Sequence, residues 1–100
     1  MKPKEFTVHT MDEFQTMINQ KNFSISEAIV NSILKNIKTR KKHIHVLSVK
    51  CTAENTVFDI TLEKNNFIET LKENLVFYEK REMYEKCAEI QKAIPELTKI

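Results

Sequence analysis

The sequence predicts a single small α+β domain in the order β-α-α-β-β-α-α, with a β-hairpin at about residues 43–63 and an antiparallel helical hairpin at its C-terminal end. Three observations predict it. One hundred residues with 41% hydrophobic content suffice for one core and not for two. Apolar residues recur every three or four positions in four stretches and every second position in others. No linker long enough to separate domains interrupts them, so residues 5–63 and 66–97 read as two parts of one unit spanning 1–100.

Glu5 to His9 alternates, with Phe6 and Val8 on one side and Thr7 and His9 on the other, which predicts a short strand. Thr10-Met11-Asp12-Glu13 has the form of a capping box and opens a helix to about Gln20, with Met11, Phe14, Met17 and Ile18 as its apolar stripe. After the polar turn Gln20-Lys21-Asn22, Ser24-Ile25-Ser26-Glu27 repeats the capping pattern. The helix it opens carries Ile25, Ile29, Ile33 and Ile37 beside Val30 and Leu34 and is expected to end near Lys38. His43 to Lys50 and Thr56 to Glu63 predict the hairpin, joined through Cys51 to Asn55. In its first strand Ile44 and Val46 favour one face but Leu47 and Val49 the other, so either both faces are buried or the strand bulges. Asn66 is expected to cap a helix with Phe67, Ile68, Leu71, Leu75 and Tyr78 inward, ending at Glu79-Lys80-Arg81-Glu82. A last helix carries Met83, Tyr84, Cys87, Ala88, Ile90 and Ile94, with Pro95 expected to end it.

The chain contains no glycine. The P-loop, the Rossmann fingerprint, the kinase phosphate loop and the G-x-S-x-G nucleophile turn all require it, so the usual nucleotide-dependent chemistries are excluded and no cofactor is expected. Turns fall instead to residues such as Ala53-Glu54-Asn55 and Lys64-Asn65-Asn66. Two cysteines make no disulfide framework, and Lys2, Pro3, Lys4 and Glu5 do not resemble a secretory signal, so the expected compartment is the cytoplasm. Apolar runs such as Leu75-Val76-Phe77 fall far short of the roughly 20 residues needed to span a bilayer, so no membrane association is expected. The Lys, Asn and Ile bias is compatible with an AT-rich genome, a phage included.

Charge is unevenly placed. The net charge is +2, yet Lys35, Lys38, Arg40, Lys41, Lys42 and Lys50 lie between Ala28 and Ala53 with no carboxylate among them. Such a stripe suits a phosphate backbone or an acidic protein surface. Were all six cations to neutralise DNA phosphates, log affinity would fall with log salt at a slope of about −5. The alternative is a solvated loop whose lysines cap a helix end.

The order of strand, two helices and hairpin resembles that of a winged helix-turn-helix. That resemblance implies a DNA-binding regulator whose helix from Ile25 to Lys38 presents Ser26, Asn31, Ser32, Lys35 and Asn36 to the major groove, with a wing at Ala53 to Asn55. The C-terminal third, Phe67-Ile-Glu-Thr-Leu-Lys-Glu-Asn-Leu and Met83-Tyr-Glu-Lys-Cys-Ala-Glu-Ile-Gln-Lys-Ala-Ile, resembles the UVR-type helical hairpin over residues 66–97. Tyr84, Glu85, Cys87, Ala88, Ile90 and Ile94 fall on that family's aromatic, Glu, Ala, Ala, Leu and Ile positions, while Gln91-Lys92 stand where it has Arg-Asp. The resemblance implies a protein-docking element, with Tyr78, Arg81, Met83, Tyr84, Gln91 and Lys92 as its contact residues. A hairpin of this kind would also suit a homodimer.

The histidines and cysteines bear on two further chemistries. His43 and His45 share a strand face, with Cys51 on the same parity if the strand stays regular, but there is no C-x-x-C, and a zinc site would have to recruit His9 or Cys87 through the fold; no metal is expected. Histidines beside lysines could cleave RNA, and Cys51 or Cys87 could act as a nucleophile, but no local motif supplies a base and an anion-stabilising amide pair, and no catalytic residue is assigned. The reading is a non-enzymatic regulatory or inhibitory binding protein that docks another macromolecule through its basic segment and its C-terminal hairpin. A protein or a second copy is the expected partner, and nucleic acid through residues 35–50 is the alternative.

Overall fold

Strands form where the apolar period is two. β1 (Lys4–Val8), β2 (His43–Cys51) and β3 (Thr56–Glu63) make one sheet in the order β1-β2-β3. The computed structural model describes residues 4–20 and 22–98, so Lys21 of the expected turn and the Met1-Lys2-Pro3 stretch lie outside the described residues. β2 and β3 pair antiparallel, as a short turn allows, while β1 pairs parallel with β2, which requires a crossover. Two helices provide it: α1 (Met11–Asn19) and α2 (Phe23–Lys35). A short 3-10 turn, Lys64–Asn66, then leads into α3 (Phe67–Lys80), and α4 (Tyr84–Thr98) folds back against it. The order β-α-α-β-β-α-α is the predicted one.

The conflict of faces in β2 is resolved by a bulge. His45 pairs with Thr61 and Leu47 with Ile60, leaving Val46 without a partner in the ladder. That extra residue reverses the parity, so Ile44 before it, Val46 itself, and Leu47, Val49 and Cys51 after it all point into one core. Ser32 Oγ on α2 donates to the carbonyl of Val46 (3.2 Å). The helix above the bulge thus supplies the hydrogen bond that the ladder omits.

Burial follows the same asymmetry. Phe6 and Val8 of β1, the inward residues of β2, and Phe14, Ile25, Val30, Ile33, Phe67, Leu71, Tyr78, Ile90 and Leu97 of the helices form one cluster, so the helices cover one sheet face. The opposite face is open and polar: Glu5, Thr7, His43, His45, Lys50, Asp59 and Thr61 are exposed on it.

Several boundaries differ from expectation, each for a local reason. α2 is capped by Asn22, whose side chain accepts from the Ile25 amide (3.2 Å), and not at Ser24. It ends at Lys35 and not near Lys38, because Asn36 folds its side-chain amide back to the Ser32 carbonyl (2.7 Å). At α1 the Thr10 hydroxyl accepts from the Glu13 amide (3.3 Å) as predicted, but the Glu13 carboxylate reaches one residue further back, to the His9 amide (3.1 Å). Asn66 makes no side-chain cap, since the 3-10 turn runs straight into α3. Pro95 lies inside α4 and does not end it. Without glycine, positive φ falls on Asn55 (50°) in the hairpin turn and on Glu82 (57°) between α3 and α4.

Candidate functional site

The basic residues reach the surface at one end of the molecule. Beyond α2 the chain turns through Thr39, whose amide donates to the Asn36 carbonyl (3.2 Å) and whose hydroxyl accepts from the Lys41 amide (3.3 Å). Lys64, just past the end of β3, fastens this loop. Its Nζ donates to the Thr39 carbonyl (2.6 Å) and its amide to the Lys42 carbonyl (2.7 Å). An open groove of about 520 Å³ results, lined by Arg40, Lys41, Lys42, His43, Glu63, Lys64 and Asn65. Arg40, Lys41 and Lys42 are exposed, and among the described residues no carboxylate stands within ion-pair distance of them. Glu63 in the wall offsets one of the four cations. Lys35 and Lys38 are exposed on the adjoining turn of chain.

Five of the six predicted cations therefore lie at this end, and Lys50 does not. It sits eight residues further along β2 than Lys42, roughly 26 Å at the rise of a strand, on the open sheet face. Lys64, which the sequence reading did not assign, belongs to the groove. Its signal was the antiparallel pairing itself, which sets Glu63 against His43 and so brings residue 64 beside residue 42.

On the C-terminal hairpin the predicted contact residues separate. Tyr78 is fully buried and cannot touch a partner: its ring stands edge-on to Phe77 (5.6 Å) and Phe23 (6.1 Å). Arg81 covers the same cluster, with its guanidinium 4.7 Å from the Phe77 ring and 5.1 Å from that of Phe23. Burial pushes the Tyr78 phenol above its ordinary value of 10.0, opposed by the nearby Ser26 hydroxyl and reinforced by the charge of Glu27. Among the described residues the Tyr78 hydroxyl has no hydrogen-bond partner, because Ser26 bonds across to Asn74 on α3. Tyr84, by contrast, is 69% exposed. With half-buried Met83 it borders a shallow hollow that also contains Glu82, Glu85, Lys86 and Glu89. Gln91 and Lys92 are exposed further along α4. Ala88 is exposed; Cys87, Ile90, Ala93 and Leu97 are the buried residues of this helix.

The face of α2 that would read a DNA groove is occupied within the fold. Ser26 is buried, Asn31 accepts from Lys86 Nζ (2.7 Å), Ser32 serves the bulge, and Asn36 closes the helix end. At the hairpin tip, Glu54 and Asn55 are exposed with no cation beside them in the turn.

The bulge also divides the histidines from the cysteine. His43 and His45 face the open side, whereas Cys51 is buried on the other, its thiol donating to the His9 carbonyl (3.3 Å). Among the described residues no group of three or more His, Cys, Asp or Glu side chains is placed to hold a metal ion. His45 Nε2 does meet Ser48 Oγ (2.9 Å), which donates to Asp59 Oδ1 (3.0 Å), and Asp59 Oδ1 lies 3.5 Å from the same imidazole nitrogen. In an acyl-transfer triad the carboxylate orients the imidazole through its other nitrogen and leaves the hydroxyl proton to the histidine. Here serine and aspartate crowd one nitrogen, and the group ties β2 to β3.

Comparison of the chain with family models, curated proteins and solved structures gives no match. Among the described residues no helix is long and apolar enough to cross a membrane.

Proposed function

We propose that this protein is a binding module that docks the acidic face of another protein at the groove formed by Arg40, Lys41, Lys42 and Lys64, with the exposed Tyr84 region of α4 as a second contact. One observation carries this reading: three consecutive cations stand exposed, with no pairing carboxylate among the described residues, on a loop that Lys64 holds in place. Charge kept in position and left unpaired favours association and raises its rate. Protein is preferred over duplex DNA because the helix a groove would receive has committed its polar side chains internally. The chemistry is surface complementarity without turnover, as a small regulatory or inhibitory protein would use.

The test is retention on immobilised polyglutamate and on mixed-sequence duplex DNA at low salt. The wild type is expected to be held on polyglutamate and to elute with rising salt. The R40E/K41E/K42E protein is expected to lose that retention, while K50E/K72E/K92E, with the same change in net charge on exposed residues elsewhere, keeps most of it. Equal losses in the two triple variants would show that only net charge matters and would overturn the reading. Retention on DNA alone, with a log–log salt slope near −3 or steeper, would replace it with the nucleic-acid reading.

A further inference from the structure

The sheet ends at β3, and among the described residues no backbone hydrogen bond outside the β2 ladder reaches Thr56–Glu63. An edge of this kind presents unpaired amides and carbonyls, which folds usually guard with lysine, proline, a bulge or shortness. β1, the other edge, is five residues long and begins with Lys4, whose Nζ lies 5.5 Å from the Phe6 ring. β3 is eight residues long and contains no lysine, arginine or proline. Its helix-side residues Phe58, Ile60 and Leu62 are only half-buried, and Val57 on the open side is 51% exposed.

We propose that β3 pairs antiparallel with β3 of a second copy, about a two-fold axis through Ile60, to make a continuous six-stranded sheet. A two-fold axis normal to a sheet keeps its faces distinct, so it must pass through a residue and not between two. Overlap and charge then select which residue: an axis through Phe58 leaves Thr61 to Glu63 without strand partners, and one through Leu62 leaves Thr56 to Ile60 without them. An axis through Asp59 sets that carboxylate against its own copy, and one through Thr61 sets Asp59 against Glu63; both are like-charge pairs. Through Ile60, Asp59 faces Thr61, Val57 faces Glu63, Phe58 faces Leu62 and Ile60 faces itself. Apolar residues meet on the helix side, and no two carboxylates meet on the open side. The strand is complementary to itself in this register, which is why a second copy is the occupant. An interface one strand wide is at the small end of specific contacts, so the dimer is concentration-dependent. This pairing is independent of the basic groove.

Sedimentation equilibrium on the full chain from micromolar to submillimolar concentration tests it. The wild type is expected to pass from monomer to dimer. T61E places a carboxylate opposite the Asp59 of the other copy twice per dimer and is expected to weaken association about tenfold, whereas T61K makes two opposite-charge pairs and strengthens it. Thr61 is exposed and faces His45 within its own sheet, so neither change enters the core, and circular dichroism verifies the fold of each. A wild type that remains monomeric throughout, or a dimer constant that T61E and T61K leave unchanged or shift in the same direction, overturns the proposal.

Discussion

Tyr78 is the residue at which burial and polarity conflict most directly. Its ring completes the aromatic cluster of Phe23 and Phe77, yet its hydroxyl is buried without a partner among the described residues. An unpaired buried hydroxyl costs about 1–3 kcal/mol, so Tyr78→Phe is expected to raise stability by on the order of 1 kcal/mol in urea unfolding at neutral pH. The pH dependence has a definite sign. The folded phenol titrates above its ordinary value of 10.0 because burial disfavours the phenolate. Below about pH 10 both states hold the proton and stability is unaffected; above it the unfolded chain ionises first and stability falls. The advantage of Tyr78→Phe should therefore widen as pH rises beyond about 10, and a constant difference would show that the hydroxyl is solvated. Ser32 is the converse case, a side chain whose one hydrogen bond compensates a backbone defect. Ser32→Ala should cost roughly 1–2 kcal/mol by leaving the Val46 carbonyl unpaired, whereas Ser24→Ala on the same helix should cost little, since Asn22 is the cap.

Among the elements, those with a strong period were legible in the sequence and their ends were not. The apolar stripes of α2 and α3 and the alternation of β3 fall where the residues put them, because a period of 3.6 or 2 is a local property. Helix ends depend on which of several polar residues wins the free amides: Asn22 over Ser24, and Asn36 over the residues to Lys38. Pro95 misled for a related reason. Proline removes one hydrogen bond, but Leu97 beyond it is buried against the core, and that burial carries the helix past the break. Pro95→Ala is accordingly expected to stabilise α4 by up to about 3 kcal/mol, read as a higher unfolding midpoint with unchanged helix content. A loss of stability would mean that the proline ring itself packs usefully.

On the scale of the whole molecule, the fold gathers like charges at one end. Lys35, Lys38, Arg40, Lys41 and Lys42 are neighbours along the chain, in α2 and the loop after it, and Lys64, just past the end of β3, joins them only because β2 and β3 pair antiparallel. Their mutual repulsion is screened by salt. Raising NaCl from about 20 to 200 mM should stabilise the wild type by on the order of 0.5 kcal/mol, and the R40Q/K41Q/K42Q protein by less. Thermal unfolding at the two salt concentrations checks this, and an equal response in both proteins would show that the cluster is already neutralised. The proposed β3 pairing is a second property of this scale. Dimerisation was expected from the amphipathic C-terminal hairpin, but the buried faces of α3 and α4 are used within the chain, whereas β3 keeps an unpaired edge.

What the residues determined alone was the class of fold, the order of its elements and the existence of a basic segment, since each depends on composition or on spacing within one stretch of chain. Tertiary structure decided the rest. The bulge at Val46 settled which faces His45 and Cys51 occupy, the β2–β3 register brought Lys64 to the basic groove and left Lys50 at the far end, and helix packing buried Tyr78 while exposing Tyr84. The physical reason is common to all three. A side chain's direction in a strand changes with a single unpaired residue, and its neighbours across a sheet or a helix pair are set by contacts that no local period encodes.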